Sequence, residues 1–363
     1  MIEDLLERKD VCICAGPGGV GKTTVSAAVA LGMAARGKKV AVLTIDPARR
    51  LAGALGLPEL GNEETRVEID LRGELWAMML DAKRTFDELV DWHAPDAQTR
   101  DAVLGNRIYQ ELSNAVAGTQ DYAAIEKLHE LHQEGRYDLL VLDTPPTRHA
   151  LDFLEAPLRL SAFIDSRALQ IFTVPGGFGL RALGRGTGLV FSVLKRATGI
   201  DLLEDMSEFF RTFGDMSEGF RERAERVSAL LADPRTAFVL VTSPAPDAID
   251  DAVFFHRRLL DADLPFAGAV VNRVHQLAVL DSEVAPEEVM GLLGEELGGK
   301  VAANLADYRR LAEGDRASLQ RLGRRLGRKP IVTVPHLDHD VHDLDGLADL
   351  NRYLFDARQT GAE

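Results

Sequence analysis

Five apolar residues, Val11-Cys12-Ile13-Cys14-Ala15, run directly into Gly16-Pro17-Gly18-Gly19-Val20-Gly21-Lys22-Thr23-Thr24, and a helical pattern continues to Arg36. A strand, a glycine-rich turn and a helix in that order constrain the fold more than any other feature of the chain. They also place the pattern G-x-x-x-x-G-K-[ST] in the context that gives it meaning. Glycines let the backbone curl until successive N–H groups converge on phosphate oxygens, at a helix N-terminus whose dipole also favours anions. Gly18, Gly19, Val20, Gly21, Lys22, Thr23 and Thr24 are therefore the candidate cradle. Lys22 is expected to neutralise the β and γ phosphates of a nucleotide, and the Thr23 hydroxyl to ligate Mg²⁺. A glycine-rich turn that binds nothing is the alternative, and motif and context together argue against it.

Apolar runs rich in Val, Ile and Leu recur at Val11–Ala15, Val40–Ile45, Leu139–Asp143, Ala237–Thr242, Ala267–Asn272 and Ile331–Val334. Helical patterns such as Thr24–Arg36 and Ile249–Ala262 lie between them. Continuous apolarity predicts strands covered on both faces, and the alternation predicts an α/β fold with a doubly wound, mostly parallel sheet. Two stretches, about Lys83–Leu131 and Asp152–Leu231, read as mainly helical. The expected organisation is thus a core of residues 1–82, 119–151 and 232–363, with 83–118 and 152–231 as an inserted helical subdomain. A charged helical segment, Asp281–Arg328, is expected to pack beside the sheet.

The formal net charge of −15 disfavours nucleic acid, because binding a phosphate backbone needs Lys and Arg to replace counterions. The two cysteines, Cys12 and Cys14, alternate along one strand, point the same way and are badly placed to bridge, so they read as reduced core thiols. Met1–Asp10 lacks the features of a secretory signal and no apolar stretch is long enough to span a bilayer. A cytoplasmic protein with at most peripheral membrane association is expected.

Two acids end predicted strands. Asp46, after Val40–Ile45, sits where ligands of open α/β sheets bind and is a candidate to orient an attacking water, or else a helix cap. Asp143, after Leu139–Leu142, has the Walker B arrangement, in which a carboxylate approaches Mg²⁺ directly or through water. The continuation Thr144-Pro145-Pro146-Thr147 supplies a stiff, hydroxyl-bearing turn suited to sensing a γ-phosphate.

With these elements in hand, the chain resembles the arsenite-pump and tail-anchored-protein-targeting ATPases, P-loop NTPases of the deviant Walker A class. Beyond the loop, the likeness rests on Asp46-Pro47-Ala48 as a first switch, Gly118-Thr119-Gln120-Asp121, and Asp143-Thr144-Pro145-Pro146-Thr147-Arg148-His149 as a second switch. Val270-Val271-Asn272 and Val334-Pro335-His336-Leu337 complete it. The resemblance implies ATP hydrolysis with ATP and Mg²⁺, Asp46 assisting the reaction, Asn272 recognising adenine, and Pro335, His336 and Leu337 flanking the base. For Asn272 a strand-end turn residue is the plain alternative.

Departures from the family pattern bear on partners. The lysine that usually follows the first glycine, and reaches a partner subunit's phosphates, is here Pro17, which supplies neither charge nor N–H. The expectation is a heterodimer with a lysine-bearing paralogue, or a slow homodimer; the alternative reading is a catalytically weak regulatory subunit. Arg49 and Arg148 also stand where relatives carry other residues, and read best as solvated.

Ala162–Leu194 is apolar and glycine-broken, and Leu202, Leu203, Met206, Phe209, Phe210, Phe213, Met216 and Phe220 define one helical face. In the resembling targeting ATPases such a region forms a groove for an apolar segment, so hydrophobic protein cargo is one expectation and a plain core or dimer contact the other. No cysteine cluster exists for arsenite or zinc, and His336, His339 and His342 amid acids read as a solvated turn. A partitioning or division-site role ranks last, since Leu347–Glu363 shows no basic stripe.

Overall fold

The computed structural model of the chain describes residues 1–45, 50–110, 119–144, 209, 212, 216–276, 286–327 and 329–356. Eight strands form one sheet in the order β3-β4-β2-β5-β1-β6-β7-β8. They are β1 (Val11–Ala15), β2 (Lys39–Thr44), β3 (Thr65–Arg66), β4 (Glu74–Met79), β5 (Leu139–Asp143), β6 (Thr236–Thr242), β7 (Phe266–Val274) and β8 (Ile331–Pro335). All pairings are parallel except β3 with β4. The fold is α/β with a mostly parallel sheet, as the alternating pattern predicts.

Strands β1, β5 and β6 are buried at every residue, which is why they read as unbroken apolar runs. Strand β4 is different. Glu74-Leu75-Trp76-Ala77-Met78-Met79 mixes strong helix formers, and it becomes a strand by pairing in register with β2, Lys39 opposite Glu74 through Thr44 opposite Met79. It escapes sequence reading for that reason.

Helix α2 (Lys22–Ala35) is buried continuously from Val25 to Ala34. A helix apolar all round needs cover on every side. The sheet covers one flank, and helix α11 (Leu344–Phe355) covers another. The Phe355 ring lies where a side chain at Gly32 would stand, and the Arg36 guanidinium sits 4.0 Å over that ring. Position 32 therefore needs glycine for space.

Further along, α8 (Pro246–Asp261), α9 (Pro286–Leu293) and α10 (Glu295–Arg325) follow β6 and β7. The 31-residue α10 buries only Gly298, Ala312 and Leu322. The expectation that the segment packs beside the sheet thus holds for part of this helix. Most of its surface is bare. No helix among the described residues is long and apolar enough to cross a membrane.

Two compact units divide the chain: Met1–Met79 with Leu131–Ala150 and Ala232–Glu363, and Leu80–Glu130 with Leu151–Leu231. The second holds α4 (Ala82–His93), α5 (Ala97–Gly105) and most of α6 (Thr119–Glu134) and α7 (Ser217–Ala232). Asp81 and Asp96 cap α4 and α5, accepting from Arg84 N at 3.1 Å and Thr99 N at 2.7 Å. Inside this unit the Glu126 carboxylate meets the Arg223 guanidinium and the Tyr122 hydroxyl. Burial raises the Glu126 carboxyl above its ordinary range, against the pull of Arg223 and Tyr122. Of the residues expected to form an apolar groove, Ala162–Leu194, Leu202, Leu203, Met206, Phe210 and Phe213 lie outside the described residues, whereas Phe209, Met216 and Phe220 are buried.

Candidate functional site

The loop leaves β1 in the middle of the sheet. Gly16 (φ 154°) lies against the Val241 carbonyl of β6, with no room for a side chain. Gly19 (φ 78°) and Gly21 (φ 90°) take left-handed conformations that glycine alone adopts easily. Gly21 is also the N-cap of α2, and no side chain caps that end and no acid occupies its first turn. The N-terminal N–H donors of α2 are thus presented to an anion.

Lys22 is buried and its Nζ crosses the loop to donate to the Pro17 carbonyl at 2.9 Å. Thr23 Oγ1 donates to Asp143 Oδ2 at 2.7 Å, and Thr44 Oγ1 donates to the same oxygen at 2.9 Å. Strand order explains this convergence: β5 lies between β1 and β2, so Thr44 at the end of β2 and Thr23 in the first turn of α2, which follows β1, both reach its terminal carboxylate. Thr144 follows, donating from Oγ1 to the Cys14 carbonyl at 2.9 Å. Below the loop, Cys12 and Cys14 are buried and unbridged, with Sγ atoms 3.9 Å apart. Their mutual hydrogen bond and their burial push the Cys12 thiol well up, so it stays protonated.

A cleft of about 470 Å³ opens over these residues, lined by Gly19, Gly21, Lys22, Thr23, Thr24 and Thr144 on the loop side. Lys22, Arg50 and Arg273 bring three basic groups to it, and none of its described lining residues is acidic. On a chain with a net charge of −15, this is a local inversion of sign that favours an anionic ligand.

Strand β7 forms the far wall. Asn272 is buried, its Nδ2 donating to the Val20 carbonyl at 3.0 Å while its Oδ1 accepts from Arg273 N at 3.0 Å. Arg273 takes a left-handed backbone (φ 62°) and its Nη1 donates to the Gly19 carbonyl at 3.3 Å. Pro335 is buried at the end of β8, His336 is exposed and stacked on His275 with centroids 5.4 Å apart, and Leu337 packs partly buried against the core. From the loop after β8, Val341 and His342 line the cleft.

The structure therefore brings Gly19, Gly21, Lys22, Thr23, Thr24, Asn272 and Asp143 together; Gly18 is exposed on the loop and Val20 is buried beneath it. Asp46, with the rest of the first switch, and residues 145–150 of the second lie outside the described residues. Sequence reasoning missed Arg273, Arg50 and Thr44. Thr44 was legible in principle as the last residue of a strand next to the Walker B strand. Among the described residues, no group of three His, Cys, Asp or Glu side chains is disposed to hold a metal ion.

The sequence matches the family model of the anion-transporting ATPases over residues 9–284. It is 28% identical over 245 residues to the ATPase GET3 of Malassezia globosa, covering 66% of each chain. A protein of Aquifex aeolicus described as an arsenical pump-driving ATPase is 26% identical over 296 residues, 77% of this chain and 64% of that one. An uncharacterized protein of Streptomyces coelicolor is 30% identical over 336 residues, 92% of this chain and 74% of its own length. The chain thus spans just under two thirds of the length of the first two relatives. A match over most of the chain, joined to the glycine loop and its strand-end carboxylate, establishes that this chain belongs to the anion-transporting ATPase family.

Proposed function

We propose that this chain binds Mg²⁺·ATP in the cleft over Gly16–Thr24, hydrolyses it, and uses the nucleotide state to control a bound protein. The observation that carries the reading is the convergence of Thr23 and Asp143 at 2.7 Å beside a cleft to which Lys22, Arg50 and Arg273 bring basic groups. The residues fit the ligand. Gly21 leaves the α2 N-terminus open to phosphate, and a hydroxyl with a carboxylate supplies the hard oxygen donors that Mg²⁺ prefers. Thr23 and Asp143 would hold the metal, which would supply positive charge beside the phosphates. The loop N–H groups orient the phosphates, Lys22 neutralises them, and Asp143 holds the Thr23 hydroxyl in place.

Asp46 as the residue orienting water, and Pro335, His336 and Leu337 as the base-flanking loop, remain roles that the family resemblance supplies. So do the hydrophobic-segment cargo and the dimer. The buried, unbridged thiols suit a reducing compartment such as the cytoplasm.

Mg²⁺-dependent ATP turnover of the full chain tests the proposal. Lys22→Ala is expected to remove it, about 100-fold or more; equal turnover in the variant refutes the site. Pro17 favours a second reading, a regulatory subunit that depends on a lysine-bearing partner, because position 17 offers only a carbonyl, used by Lys22. A gain of rate and of nucleotide-dependent mass in Pro17→Lys supports that reading. No gain favours a self-sufficient ATPase.

A further inference from the structure

We propose that Asn272 and Arg273 are positioning residues that clamp two successive carbonyls of the glycine loop and so preset its N–H groups for polyphosphate, whatever the base. The inference rests on the phosphate-binding reading of that loop.

The clamp originates in a register shift. Strands β7 and β8 pair Val271 with Thr333, then Val274 with Pro335, so β7 advances three residues while β8 advances two. The extra residue is a bulge, a device that re-aims side chains at the rim of a sheet. Arg273 sits there at φ 62°, a conformation that residues with a Cβ avoid. As a result two consecutive side chains reach across β6 to the loop after β1. Asn272 Nδ2 holds the Val20 carbonyl at 3.0 Å, and Arg273 Nη1 holds the Gly19 carbonyl at 3.3 Å.

A carbonyl and the N–H that follows it share one rigid plane and point in opposite directions. Fixing the carbonyls of Gly19 and Val20 on the β7 side therefore fixes the N–H groups of Val20 and Gly21 on the other. Gly21 shows how close the fit is: a Cβ there would stand 2.5 Å from Asn272 Nδ2. The bare Cα at position 21 and the amide at position 272 are two halves of one contact. The Asn272 amide is engaged at both ends, since Oδ1 takes Arg273 N at 3.0 Å. An amide held in this way acts on the loop, while its second N–H and the second lone pair of its oxygen can still meet a base.

The test compares binding of Mg²⁺·ATP, Mg²⁺·GTP and Mg²⁺·tripolyphosphate, which has no base, by calorimetry on the full chain. Native protein, Lys22→Ala, Asn272→Ala and Arg273→Ala are compared. The clamp requires Asn272→Ala to weaken tripolyphosphate as well as ATP, about tenfold. Arg273→Ala should weaken both ligands in the same sense. Loss of ATP preference with tripolyphosphate unaffected makes Asn272 a base reader and overturns the clamp. Weaker binding in Arg273→Ala with amide exchange at Val20 and Gly21 unchanged assigns Arg273 to charge alone and also overturns it. The Arg273 side chain is exposed, so its variants are expected to fold; faster amide exchange at Val20 and Gly21 in Arg273→Ala, without a change in Tm, is the independent sign of a released loop. A native chain that binds no more tripolyphosphate or ATP than Lys22→Ala defeats the phosphate-site reading itself, and the clamp falls with it.

Discussion

Asp143 at the end of β5 and Glu126 in α6 are equally buried, each 1% exposed, and they are held in opposite ways. Asp143 receives the neutral hydroxyls of Thr23 and Thr44. Glu126 meets a guanidinium, that of Arg223 on α7, whose side chain is itself 11% exposed. Hydroxyls orient the Asp143 carboxylate, whereas the guanidinium of Arg223 cancels the charge of Glu126 where it stands. The first arrangement suits a group that meets a metal ion. The second suits a cross-link between helices, closed further by Arg223 stacking 4.7 Å over Trp92.

The largest expected effect separates the two carboxylates by stability. Arg223→Met strands Glu126 without its cation and should cost about 3–5 kcal/mol in urea unfolding. Adding Glu126→Leu should recover most of that loss. A cost under about 1 kcal/mol would mean that the pair is ornamental and that burial alone does not distinguish the two sites. Next in size, Asp143→Asn should leave the unfolding midpoint nearly unchanged while Mg²⁺-dependent nucleotide affinity falls about 100-fold. If it instead unfolds the chain and spares the metal dependence, Asp143 is a structural acid like Glu126.

The smallest effect is a slope. Burial raises the folded-state pKa of Glu126 above the ordinary carboxyl value of 4.5, so between 4.5 and that raised value the native state binds more protons than the unfolded chain. Stability from this group is therefore full below 4.5 and declines as pH rises through the raised value. Chemical denaturation across pH 4–8 should show that decline in the native chain and not in Glu126→Gln. An identical slope in both would place the titration elsewhere.

How much of this was readable from the residues differs along the chain for physical reasons. Strands β1, β5 and β6 were legible because burial on both faces leaves a continuous apolar run. Lys22, Thr23 and Asp143 were legible because a loop that must curl around phosphate, and a carboxylate at a strand end, are local patterns. Strand β4 was hidden because Glu, Ala and Met do not announce a strand, and β3 is two residues long and exists by pairing with β4. Arg273 was hidden for a deeper reason. Its left-handed turn follows from how β7 and β8 fit together, and no residue type at position 273 signals it. Glu126 and Arg223 likewise lie 97 positions apart in sequence, so no local pattern announces the pair.

The central place of β1 sets when the loop can exist during folding. Val11 pairs with Leu140 on one side and Thr236 on the other, and the clamp waits further, for residues 272 and 273. Contacts so distant in sequence close late, because the chain entropy of large loops must be overcome before they form. Although the glycine loop is a short local motif, its shape is among the last things the polypeptide acquires. In refolding experiments polyphosphate affinity should rise after helical signal and apolar burial are complete, so that ligand binding marks a finished sheet and stabilises only that state.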